Sequence, residues 1–185
     1  MADVAALLKA AEEGDKEVCR LALHNGTAPR SMLPAAAKGG HYEICHWILI
    51  EQFHCCLIQK HDLGVFHRCL PQFTRAIYQA ARYGHLNICK LLFYWWKYGA
   101  ESMEPYAYYE YVLLNAAYGG HADVCKFAME IGARDFKSML IAAEGYHHPD
   151  VADLAKTWLQ QKAAGTIQPV NLANTIRCVK EELGL

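Results

Sequence analysis

The sequence predicts an all-α protein, an α-solenoid of about five helix-turn-helix repeats followed by a C-terminal capping helix. Three observations predict it. First, one wording recurs: AAEEGDKEVCRLAL from Ala10, AAKGGHYEICHWIL from Ala36, AARYGHLNICKLLF from Ala80 and AAYGGHADVCKFAM from Ala116. Second, past the Gly of each copy the apolar residues fall at helical spacing, as Ile88, Leu91 and Leu92 do. Third, 185 residues with 54% apolar content can bury a sizeable core. A fifth copy, AAEGYHHPDVADLA from Ala142, keeps the Ala pair and the aliphatic position but reads as having one extra residue and no Cys.

Each unit follows from its residues. Two small Ala side chains let a first helix approach its neighbours closely, the Gly turn ends that helix, and the aliphatic-Cys pair opens a second, antiparallel one. One such pair of helices cannot cover its own apolar face, so consecutive pairs must stack. The repeats fall at about 5–28, 31–52, 75–100, 111–133 and 137–161, with an insertion at 53–73, giving a stack over 1–164. Residues 165–185 supply a linker with Gly165 and Pro169, then a segment in which Leu172, Ile176, Val179 and Leu183 recur at helical spacing. That segment is expected to shield the end of the stack.

The motifs AARYGHLNICKLLF and AAYGGHADVCKFAMEIGA resemble the ankyrin-repeat family, in which Ala-Ala-x-x-Gly-His opens the turn and Gly-Ala closes the second helix. Asn25-Gly26, Gly99-Ala100 and Gly132-Ala133 supply that closing element here. The family's Thr-Pro-Leu-His opener survives only as fragments such as Ser31-Met32-Leu33-Pro34 and Lys137-Ser138-Met139-Leu140. The resemblance implies a fold of stacked hairpins, inter-repeat hydrogen bonds from His41, His85 and His121, and a function in binding another protein. Short, irregular, Cys-containing repeats of this kind resemble those of ankyrin-like proteins from large DNA viruses and intracellular bacteria, where they bind host proteins.

Spacing locates the irregularities. The turn glycines 14, 40, 84 and 120 are separated by 26, 44 and 36 residues, against about 33 in a regular ankyrin unit. From Gly99 to Gly120 the chain runs 21 residues, room for an extended β-hairpin finger, whereas Gly26 to Gly40 and Gly132 to Tyr146 leave only 14. Tyr146 is read as the equivalent of the turn Gly in the fifth copy.

Several function classes are disfavoured. With 18 Lys and Arg against 19 Asp and Glu there is no basic field for nucleic acid. The longest strongly apolar run, Leu91 to Trp96, is far shorter than the roughly 18 residues of a membrane-spanning helix. The N-terminal MADVAALLKAAEEGDKE has no secretory layout, so eight Cys are expected to be thiols in a reducing compartment, cytosol or nucleus. Cys19, Cys45, Cys89 and Cys125 share one register position and are expected to be buried packing residues, one per layer. No oxyanion element, phosphate-binding loop or carboxylate dyad accompanies them, so no enzyme and no cofactor is expected.

Two functional surfaces are then weighed. Phe93, Tyr94, Trp95, Trp96 and Tyr98, followed by Tyr106, Tyr108, Tyr109 and Tyr111, concentrate aromatic rings around the long third junction. Trp95, Trp96, Tyr98, Tyr106, Tyr108, Tyr109, Glu110 and Tyr111 are the expected partner-binding residues, Tyr106, Tyr108 and Glu110 on one face of an extended finger and Tyr109 and Tyr111 on the other. The expected partner is another protein, bound by a monomer through its concave face and this finger. The alternative is a metal or ligand sensor on the insertion, where His54, Cys55, Cys56, His61, His67 and Cys69 lie close together but match no paired zinc-ligand spacing.

Overall fold

The computed structural model describes residues 3–53, 63–99 and 106–184, and every described element is helical. The helices are α1 (Val4–Glu13), α2 (Lys16–His24), α3 (Met32–Gly39), α4 (Tyr42–Ile48) with a π-helical continuation over Leu49–Phe53, α5 (Leu63–Arg82) and α6 (Leu86–Gly99). They continue as α7 (Tyr106–Gly119), α8 (Ala122–Ile131), α9 (Phe136–Gly145), α10 (Pro149–Ala163) and α11 (Leu172–Leu183). The all-α class is therefore as expected. No described helix is long and apolar enough to cross a membrane.

The chain divides into two compact units, residues 1–80 with 87–102 and residues 81–86 with 103–185. In the first, α1 pairs with α2 and α3 with α4, while α1 also lies against α3 and α2 against α4. First helices thus pack on first helices and second on second. Ala11, Ala36 and Ala37 are fully buried where the helices approach most closely, and Cys19, Cys45, Ile44 and Ile48 fill the layer beside them. Trp96 of α6 stacks on Phe73 of α5 with ring centroids 5.9 Å apart.

The second unit repeats the arrangement. Helix α7 pairs with α8 and α9 with α10, α7 also lies against α9 and α8 against α10, and α11 packs against α8 with Val179 buried as its anchor. The terminal helix therefore rests on the second helix of the fourth pair.

Capping explains where the helices begin. Asp15 accepts a hydrogen bond from Val18 N (3.1 Å), Asp135 from Ser138 N (3.1 Å) and Asn171 from Asn174 N (3.1 Å), each satisfying a free amide of the first turn. At the start of α4, α8 and α10 the same place is held by His41, His121 and His148, whose side chains make no such cap. Their rings go elsewhere.

Three expectations need correction. Among the described residues no finger forms: Tyr106–Gly119 is one helix, because Tyr109, Val112, Leu113, Ala116 and Ala117 recur at i, i+3, i+4, i+7 and i+8 and all are buried. The apolar helical period outweighs the alternation of PYAYYEY, and the fourth repeat starts near 106, ahead of the expected 111. The third repeat starts well before 75, since α5 is continuous from Leu63 and takes in the later half of the expected insertion.

The fifth copy carries no extra residue. His148 N bonds to Ala143 O (2.8 Å) as His121 N bonds to Ala116 O (3.0 Å), His41 N to Ala36 O (3.0 Å) and Asp15 N to Ala10 O (2.8 Å). His147, with φ 62, then occupies the left-handed turn position that Gly14, Gly40, Gly84 and Gly120 hold at φ 77 to 84. The turn residue is His147, one place after Tyr146, and Ala152 stands where the other copies carry Cys.

Candidate protein-interaction surface

The imidazoles tie each helix pair to the one before it. His41 Nε2 lies 2.9 Å from Glu12 O, His121 Nε2 lies 3.1 Å from Arg82 O and His148 Nε2 lies 3.1 Å from Tyr118 O. Glu12, Arg82 and Tyr118 each stand two residues before a turn Gly, so one bond recurs in register. The carbonyls concerned are helix-end acceptors without an intrahelical partner. The ring lies flat against the turn itself: a Cβ on Gly120 would fall 2.5 Å from His148 Nδ1, and one on Gly84 would fall 2.6 Å from His121 Cε1. Lys38 reinforces the first such junction by pairing with Glu12 at 2.6 Å.

Cys19, Cys45, Cys89 and Cys125 are buried and not joined in disulfides. Burial, and secondarily the Asp15 carboxylate, pushes the Cys19 thiol up to about 11. Burial, and secondarily Asp123, pushes Cys125 up to about 12, and burial alone raises Cys45. Thiols held protonated are poor nucleophiles and poor metal ligands. Among the described residues no cluster of His, Cys, Asp and Glu could hold a metal ion. His54, Cys55, Cys56 and His61 lie outside the described residues, as do the side chains of His67 and Cys69.

The expected contact residues disperse. Trp96, Tyr108 and Tyr109 are buried, Tyr108 and Tyr109 meeting edge to face with centroids 5.6 Å apart. The Tyr109 ring also lies 3.1 Å from where a Cβ on Gly132 would be, so it lines the turn closing α8. Trp95 is half-buried, and its buried Nε1 has no hydrogen-bond partner among the described residues. Tyr98 and Tyr106 are helical, and their side chains lie outside the described residues. Glu110 accepts from Arg134 N (2.7 Å) and Asp135 N (2.9 Å), so its carboxylate fastens the 132–135 turn from α7. Of the set, Tyr111 is clearly displayed, at 49% exposure.

Glu110 supports a prediction of its own. Glu110→Ala removes two charge-assisted bonds from backbone amides, and we expect it to lower stability by about 2 to 3 kcal/mol, as read by urea unfolding. Glu110→Gln, which keeps one acceptor oxygen, should lose about half as much. Equal stability of all three proteins would show that water replaces the carboxylate.

A different set of side chains comes together on the uncovered side of α7 and α9. The Arg82 guanidinium lies over the Tyr118 ring with its carbon 5.6 Å from the centroid, and Tyr118 meets Tyr146 edge to face at 5.1 Å. Arg82, Tyr118 and Tyr146 stand at the turn ends of three successive first helices. Tyr111 lies seven residues before Tyr118, two turns along the same face of α7. On α9, Ile141 is 72% exposed, and Tyr146 just beyond it is 52% exposed. These rings were missed in the sequence, although their register was readable: Tyr118 falls two places before a turn Gly, where Glu12 and Arg82 stand in other copies. Comparison with protein families, with curated proteins and with solved structures finds no match to this chain.

Proposed function

We propose that this chain is a non-enzymatic protein-interaction module, an ankyrin-like stack of helical hairpins whose partner is another protein bound on the uncovered face of α7 and α9. The observation that carries the reading is the run Arg82, Tyr118 and Tyr146, with Tyr111 exposed on α7 and Ile141 on α9. Tyr brings large contact area with few rotamers to freeze, and Tyr and Arg are both enriched in binding hot spots. An Arg held over one Tyr ring that in turn meets a second Tyr edge to face is ordered before a partner arrives, which lowers the entropy cost of association. The recurrent His-to-carbonyl bond supports the ankyrin-like reading, because it couples successive helix pairs at one register position. The displayed set replaces the buried Tyr108 and Tyr109 as the binding residues, with Tyr111 retained.

The test is cross-linked capture from a cytosolic extract by wild type and by the triple variant Tyr111→Ser, Tyr118→Ser, Tyr146→Ser. The variant should lose a specific partner while its melting temperature stays within about 5 °C of wild type, since Tyr111 and Tyr146 are exposed and Tyr118 is half-buried outside the core. An identical captured set for both proteins would contradict the assigned face. In contrast, Tyr109→Ser should unfold early, because it empties a buried ring site.

A further inference from the structure

The first helix pair displays a face that elsewhere in the chain takes another helix pair. Aligned on the turn residues Gly14, Gly40 and His147, Ala6 corresponds to Met32 and Met139, Ala10 to Ala36 and Ala143, and Val18 to Ile44 and Val151. Met32, Ala36, Ile44, Met139, Ala143 and Val151 are all fully buried. In both places the preceding pair lies against them, α1 on α3 and α2 on α4, or α7 on α9 and α8 on α10. On the first pair, by contrast, Ala6 is exposed, Ala10 half-buried and Val18 37% exposed. Leu21, one turn beyond Val18, is 51% exposed. The face continues the internal stacking interface and is apolar at the same places.

We propose that this face docks a second copy of the chain, the two copies meeting through α1 and α2 across a two-fold axis. Three observations select that occupant. A further hairpin stacked in the regular way is held by the imidazole reaching back to a carbonyl, and at that place the first pair carries Asp15, whose carboxylate caps its own helix. A head-to-tail contact would set Val18 and Leu21 against the fifth pair, where Lys156 stands at the place of the buried Met129 and is paired with Glu144 at 3.3 Å. Finally, Lys9 and Glu13 follow Ala6 and Ala10 on the same face of α1, 3.6 Å apart. A two-fold axis sets each Lys9 beside the other copy's Glu13, so the charges of this face are complementary to themselves. The proposal replaces the monomer expected from sequence, and it concerns a different face from the partner surface on α7 and α9.

The experiment is sedimentation equilibrium of the full chain from about one to several hundred micromolar, since a face of one helix pair should associate no more tightly than about micromolar. Wild type should show a reversible monomer–dimer equilibrium. Val18→Glu combined with Leu21→Glu should weaken it at least about tenfold without changing the melting temperature, because both residues are exposed in the single copy. Lys9→Glu alone should also weaken it, and adding Glu13→Lys to the same chain should restore it. A wild type that stays monomeric throughout overturns the proposal, and so does a dimer indifferent to the Val18 and Leu21 changes. Failure of the charge exchange to restore association overturns the two-fold arrangement.

Discussion

Replacing Gly119 by Ala is expected to lower the melting temperature by about 5 to 10 °C, although the substitution favours the helix it sits in. Gly119 is the last residue of α7 and its φ is not in the left-handed region. Helix propensity alone therefore predicts a gain of about 1 kcal/mol. Packing predicts the reverse. A Cβ there would run into the carbonyl oxygen of Arg82 and lie 2.6 Å from His121 Cδ2. That oxygen is backbone at the end of another helix, so it cannot swing aside as a flexible side chain does. Overpacking costs about 3 kcal/mol, and displacing the His121 to Arg82 hydrogen bond adds about 1. The net loss is about 3 kcal/mol, which for a chain of this length corresponds to the stated shift. Gly145, the last residue of α9, has nothing within 4 Å of the same construction. Gly145→Ala should therefore raise the melting temperature by about 2 °C. If both substitutions stabilise, the close approach of successive helix pairs is wrong.

Alkali is expected to unfold the protein within about two pH units above 9, through the buried thiols. An ordinary thiol titrates near 9.0, while burial holds Cys19 up to about 11, Cys125 up to about 12 and Cys45 above its ordinary value as well. Below pH 9 folded and unfolded chains both keep these protons, so the thiols add no pH dependence there. Above pH 9 the unfolded chain releases them and the folded chain does not. The folded state then binds more protons, and stability must fall as pH rises through the folded values. Each thiol contributes about 1.4 kcal/mol per pH unit, so the three together contribute about 4. From pH 9 to 11 the three thiols together remove about 8 kcal/mol, which exhausts a stability in the lower half of the typical range of about 5 to 15 kcal/mol. Burial raises Tyr109 too, and its effect has the same sign above pH 10. Urea midpoints measured against pH check this, and Cys125→Ala should flatten the slope by about a third. A slope unchanged by that substitution would move the alkaline transition to other groups.

What could be read from the sequence was what is local and repeated. The Ala pair, the turn Gly, the aliphatic-Cys pair and the resulting helix pairs each declare themselves within about ten residues, and the structure places helices at all five copies. The buried state of Cys19, Cys45, Cys89 and Cys125 followed from their shared register. What escaped depended on distant or non-consensus residues. Glu110 fastens amides 24 and 25 residues away, and no local pattern announces such a bond. His147 enters the left-handed region without being Gly, so the fifth copy was aligned one place early. Two signals were present and outweighed. The helical period through Tyr109, Val112, Leu113 and Ala116 lay beneath the more visible alternation of PYAYYEY. The tyrosines at 118 and 146 stand singly beside turns, whereas the denser cluster of rings lies between residues 93 and 111.

Both the binding face on α7 and α9 and the dimer face on α1 and α2 rest on one claim, that successive helix pairs are locked in register by an imidazole bonded to a helix-end carbonyl. A carbonyl can only accept, so the ring nitrogen facing it must carry the proton. Long-range nitrogen–proton correlation spectra at mildly alkaline pH, where an ordinary imidazole is neutral, report the tautomer of each ring directly. The account predicts that His41, His121 and His148 are all held as the Nε2–H tautomer with slowly exchanging Nε2 protons. Rings that average between tautomers, or that carry the proton on Nδ1, would contradict it and remove the basis for both faces.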